Sequence, residues 1–276
     1  MRTATMVILL IIALSLTGCI SSTTVIRLKP DGSGTIVETT AMSSEMVGMM
    51  KGMVSGMAKE IGGKESSEKD MAGDLFSEKD ARAKVSKMGQ GVTFVSSEKI
   101  KTSDSEGLRA TYQFADISRL RISEKPSTPT PGGPQDSASG EDVTFRFARQ
   151  SDGSSLLTII NPPSNVTKSS SDTPSAAPKP EPGGAELAQL KNFLKGFRIS
   201  RMLEIDGRLK KTNATYVEGS TVTLLDVNFE ALLSNETALT QLSLTKNPED
   251  AKRFLKDIKG IKVELSPEVK VEFAAR

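Results

Sequence analysis

The sequence has no histidine, no tryptophan and a single cysteine, Cys19. Without histidine there is no Ser-His-Asp triad, no Cys-His dyad and no His-ligated zinc or haem. One cysteine leaves no internal disulfide and no metal site built from paired thiolates, so neither a metal nor a cofactor is expected. Aromatic residues are only 4% of the chain, so a core must be built from aliphatic side chains and methionine. Charge of one sign is also lacking. The 36 Lys and Arg are balanced by 34 Asp and Glu, which leaves no chain-wide field for nucleic acid. No nucleic-acid partner is expected.

What is present begins at the N-terminus. Arg2 precedes an apolar run from Met6 to Leu16, the length of an export-signal core and too short for the roughly 20 apolar residues of a spanning helix. No later stretch reaches that length. The run ends in Leu16-Thr17-Gly18-Cys19, which resembles the bacterial lipobox: Leu or a branched residue, two small residues, then Cys. The resemblance implies cleavage between Gly18 and Cys19 and a diacylglyceryl thioether on Cys19, with fatty-acyl chains such as palmitate. Residues 1–18 are then a signal peptide and 19–24 a short tether. The chain from 25 to 276 forms a single extracytoplasmic domain, lipid-anchored to the cell membrane or outer membrane and facing the periplasm or exterior. Ile20, where enteric bacteria place Asp to retain a lipoprotein at the inner membrane, favours the outer membrane by that analogy.

Alternation and turn chemistry organise the domain. Thr24–Lys29 and Thr35–Thr40 flank Pro30-Asp31-Gly32-Ser33-Gly34, a hairpin signal. Without a following Lys-Ser/Thr or further acidic spacing, that turn is read as structure rather than as a phosphate or calcium loop. Val92–Ile100 with Leu108–Phe114, and Val143–Phe147 with Leu156–Ile160, read as further hairpins. Strand-like runs follow at Phe197–Ile205, Ala214–Val217 and Thr221–Phe229, with a last hairpin formed by Ile261–Leu265 and Val269–Phe273. Helices are expected at Glu45–Ile61, Glu78–Met88, Glu186–Lys195 and after Asn247. Low-complexity inserts fall at about 124–140 and 162–184. The expected fold class is α+β, a mainly antiparallel sheet built of hairpins with three to four packed helices.

The segment 45–61 is rich in methionine. Met46, Met49, Met50, Met53 and Met57 share a helical face, with Gly48, Gly52 and Gly56 as a ridge beside it. Two readings follow. The methionines fill a core, with the glycines allowing close approach to a sheet, or they line an adaptable groove for an apolar ligand. Ser-x-x-Lys occurs at Ser66–Lys69 and Ser96–Lys99 without the companion elements of a penicillin-binding enzyme. Carboxylate pairs carry no motif, and no residue is assigned a catalytic role.

The stretch Met202–Ala214, followed by Glu218-Gly219-Ser220-Thr221-Val222-Thr223, together with Cys19 and the Lys29–Gly34 hairpin, resembles the LppM-like bacterial lipoproteins. The resemblance implies an extracytoplasmic α+β domain with an envelope-associated binding role and transfers no catalytic residue. The expectation is a membrane-anchored, non-enzymatic envelope lipoprotein. It would bind a hydrophobic ligand or an envelope protein close to the bilayer. The alternatives are assembly through protein contacts and, less favoured without Trp platforms for sugars, hydrolysis of envelope polymers.

Overall fold

The computed structural model describes residues 20–60, 75–123, 142–162, 196–235, 250, 254–256 and 258–275, with side chains 53–60 outside that description. The lipobox, both low-complexity inserts save for Pro162, Ser66–Lys69 and the helix expected at Glu186–Lys195 lie outside the described residues, as does most of the helix expected after Asn247.

Among the described residues thirteen strands form two sheets. In the large sheet the spatial order is β10 (Val217–Glu218), β11 (Thr221–Asn228), β8 (Arg198–Ile205), β1 (Ile20–Leu28), β2 (Gly34–Ser43), β4 (Ser105–Phe114) and β3 (Val92–Lys101), with β12 (Ile261–Val263) also on β11. The small sheet runs β5 (Arg121–Ser123), β6 (Asp142–Arg149), β7 (Ser155–Ile160), β13 (Glu268–Ala274) and β9 (Arg208–Thr212). The three hairpins expected from Thr24 to Thr40, Val92 to Phe114 and Val143 to Ile160 are present as β1–β2, β3–β4 and β6–β7. Each joins an alternating strand pair through a short polar turn, so every interaction needed to specify it is local.

The expected fold class is corrected. The chain is mainly β, in two sheets. Among the described residues only two helices reach seven residues: α1 (Ser44–Glu60) and α2 (Glu78–Lys84). The run expected to be helical to Met88 gives up α-geometry at Val85, where Val85–Lys87 tightens into a 3₁₀ turn, and α3 (Phe229–Leu233) is a single turn. The large sheet is also mixed, since β1 and β8 run parallel, Ser21 beside Arg198 through Leu28 beside Ile205.

The tether is corrected as well. β1 begins at Ile20, and Ile20 is 5% exposed, so Ile20–Thr24, assigned to a spacer, are strand. The expected C-terminal hairpin does not form either. β12 pairs with β11 in one sheet and β13 with β7 and β9 in the other. The break falls at Glu264, whose buried carboxylate accepts hydrogen bonds from the Thr215 amide (2.6 Å) and the Ser266 amide (3.0 Å). Hydrogen bonds from two backbone amides offset part of the cost of burying this carboxylate at the point where the chain passes from one sheet to the other.

The main core lies between the sheets. Ile26, Leu28, Ile36 and Leu203 of the large sheet meet Val143, Phe145, Leu157, Ile159, Val271 and Phe273 of the small one. Tyr112 extends this core beneath α2 and donates its hydroxyl to the Ala81 carbonyl at 3.2 Å. Burial, reinforced by the Glu38 charge, holds that phenol well above its ordinary pKa, so it stays a neutral donor. The same end of the molecule carries two matching turns. Asp31 and Asp152 each accept from the amide and hydroxyl of the serine two residues on, Ser33 and Ser154. Those hydroxyl bonds, and for Asp152 also Lys210 at 3.1 Å, lower both carboxyl pKa values. Ser155 then donates to the Pro30 carbonyl at 2.9 Å, tying one turn to the other. This confirms a structural role for the Asp31 turn.

Candidate functional site at the Ile20 end of the large sheet

Strand register decides which residues share the end of the sheet where Cys19 joins it. Ile20 pairs with Met42, Ser21 with Arg198, and Asn228 with Arg198, so the exit of β2, the entry of β8 and the exit of β11 all lie there. Ile261, paired with Val227, opens β12 at the same end. A separate apolar cluster closes this end: Ile20, Met42, Met46, Val47, Phe76 and Phe197 are buried together, with Met50 and Phe229 packed against them. Phe197 and Phe229 meet edge-to-face, with centroids 4.7 Å apart, a favourable aromatic geometry.

Helix α1 rises directly from β2. Ser43 accepts from the Met46 amide through its hydroxyl at 3.2 Å, an N-cap bond for the first turn. The methionine face does not act as one surface. Met46 is buried in the apolar cluster, Met50 is half-buried against it, and Met49 is 58% exposed. The side chains of Met53 and Met57 lie outside the described residues. The glycine ridge is corrected, because a Cβ added at Gly48 or Gly52 would meet open space. These glycines therefore permit no close approach to the sheet. Met46→Ala is expected to cost about 2–5 kcal/mol of unfolding free energy. Met49→Ala should stay within about 0.5 kcal/mol. Urea titration of both variants checks the assignment, and equal losses would reject it.

Beside the cluster lies an open cleft of about 520 Å³ at the corner of β8, β11 and β12. Of the described methionine side chains of that face, Met46, Met49 and Met50, none lines it. Its lining includes Arg198, Asp226, Lys256, Lys259 and Lys262. Arg198 grips Asp226 through two bonds of 2.8 Å, and these bonds raise the Arg198 pKa. Lys256, Lys259 and Lys262 are exposed, and among the described residues none of the three enters an ion pair. Sequence reasoning missed this corner. Its only signal was three lysines spaced three apart across Gly260.

Ser96 and Lys99 both lie on β3. Residues three apart on a strand face opposite sides, so this pair makes no Ser-Lys dyad. Among the described residues no group of three His, Cys, Asp or Glu could hold a metal ion. No described helix is long and apolar enough to cross a membrane.

No family model matches the chain, and no curated protein matches it. Among solved structures it is similar to the NMR structure of the folded domain of the Mycobacterium tuberculosis LppM protein. The identity is 8%, the match covers 94% of this chain and 91% of that one, and the TM-score is 0.33. The relation is weak and distant, and at that TM-score it carries no argument about this chain.

Proposed function

We propose that this chain is a bacterial envelope lipoprotein, held to the membrane through an acylated Cys19. Its mainly β domain acts without catalysis, by engaging an apolar ligand or an envelope protein next to the bilayer. The observation that carries this reading is the lipobox Leu16-Thr17-Gly18-Cys19 at the end of an export signal, joined without a spacer to a strand that starts at Ile20. A sequence in which the only cysteine falls at the single position a lipobox requires supports acylation. The apolar cluster that closes this end supports a rigid connection between anchor and domain.

Between ligand binding and assembly, the burial of Met46 and Val47 supports assembly through protein contacts as the second reading. Those side chains pack against the sheet instead of facing a cavity.

Intact-mass and peptide mass spectrometry of the protein extracted from membranes tests the reading. The expected N-terminal peptide begins at Cys19 and carries a diacylglyceryl mass. An unmodified Cys19, or a peptide retaining Gly18, would reject it.

A further inference from the structure

We propose that the corner formed by Lys256, Lys259 and Lys262 is a docking surface for the anionic headgroups of the membrane in which the chain is anchored. This rests on the acylation of Cys19 proposed above and adds an orientation to it. Cys19 is one peptide unit, ~3.8 Å between Cα atoms, from Ile20. Ile20 is itself buried in the folded domain. An acyl anchor attached there cannot let the domain drift from the surface, so the Ile20 end of the large sheet must face the headgroups. The lysine corner lies on that end. It is separated from β1 by β8 and β11, so β12 stands three strand spacings away, roughly 14 Å. Lys262 lies opposite Asp226, which pairs with Ser200, and Ser200 pairs with Thr23. The corner therefore sits only about three residues, roughly 10 Å, up the sheet from Ile20, which is about one Debye length at 0.1 M salt and slightly more than the ~8 Å at physiological salt.

The charge of the corner points to an anionic occupant. The cleft is lined by four cations and one anion, and that anion, Asp226, is already committed to Arg198 by two hydrogen bonds. Glu230, exposed at the start of α3, is the acidic group on the adjoining element. The opposite side of the same end shows no such surplus, since Lys51 pairs with Glu106 at 3.5 Å beside exposed Glu45 and Asp104. Because the whole chain is close to neutral, this local excess is not a general property of its surface. Its chemistry also limits what it recognises. With the planar guanidinium of Arg198 occupied, only flexible ammonium groups remain, and these bind phosphate as point charges. Docking should follow the charge of the headgroup and not its identity.

The test uses the full mature, acylated chain. Acylation takes the only cysteine, so Ser234→Cys, exposed at the end of α3, provides a unique site for a fluorophore. The labelled protein is reconstituted into vesicles of phosphatidylcholine alone or with phosphatidylglycerol, each carrying a headgroup-attached quencher. Quenching is expected to be stronger on the phosphatidylglycerol vesicles and to fall as sodium chloride is raised. In K256Q/K259Q/K262Q the ratio of docked to undocked protein should drop on the order of 10²-fold, about fivefold for each lysine, with an unchanged thermal midpoint. Equal quenching on both vesicles, or a triple variant that docks like the parent, would overturn the proposal. Inorganic phosphate displacing the corner far better than chloride at equal ionic strength would also overturn it, in favour of a discrete phosphate site. Flotation reads the anchor separately. A chain that fails to float with phosphatidylcholine lacks the anchor, yet a docking corner would still carry it upward with phosphatidylglycerol vesicles.

Discussion

Cys19→Ser is expected to abolish incorporation of labelled fatty acid and to shift the protein from the washed membrane fraction to the soluble one. Serine has no thiolate, so no thioether to a diacylglyceryl group can form. The change removes two acyl chains, each able on its own to supply a membrane partition constant on the order of 10⁴ M⁻¹. What remains is an uncleaved precursor whose apolar run, Met6 to Leu16, is shorter than a spanning helix needs and should yield to carbonate washing. Pulse labelling with a radioactive fatty acid, followed by fractionation, measures both effects. Membrane association that survives washing as well as in the parent would remove the basis of the proposed function. The fold should be indifferent to the change, because β1 and its cluster begin one residue later, at Ile20.

Phe273→Ala is expected to lower the unfolding free energy by about 3–5 kcal/mol, the range for deleting a buried aromatic side chain. Phe273 is fully buried at the junction of the two sheets. Its ring lies 6.4 Å from that of Phe147, and its strand is held by β7 on one side and β9 on the other. With aromatics at 4% of the chain, few other side chains are large enough to collapse into the space. A domain stabilised by the usual ~5–15 kcal/mol would lose a large part of its margin. Guanidinium titration followed by circular dichroism measures this loss. A change under about 1 kcal/mol, as for a surface site, would show that the sheets do not meet through this residue.

These two expectations draw on different kinds of information. The proposed anchor at Cys19 rests on a short linear pattern, since lipobox chemistry needs no folded context. The hairpins β1–β2, β3–β4 and β6–β7 were legible for a similar reason. Period-two alternation marks each strand, and Asp31-Gly32-Ser33 and Asp152-Gly153-Ser154 mark two of the turns through bonds that span two residues. The α1 segment was equally plain, with Ser43 as its cap.

Periodicity misled where it was asked about partners. A methionine face reads the same whether it packs or lines a groove, and only tertiary packing separated buried Met46 from exposed Met49. Gly48 and Gly52 suggested close approach, but the structure places nothing near them. Local amphipathicity also did not reveal that the main core is formed chiefly by two sheets meeting face to face.

The sequence by itself determined the local hairpins and the Met helix, because each is specified by residues close together in the chain. Tertiary structure alone decided the parallel pairing of β1 with β8, where Arg27 bonds to Glu204 across 177 positions. It also decided the division of β12 and β13 between two sheets and the gathering of three lysines beside Arg198. Such pairings depend on which distant strands bury each other's apolar faces best, against a loop-closure entropy that grows only slowly with separation. That balance belongs to the whole fold and leaves no mark on any short window of residues.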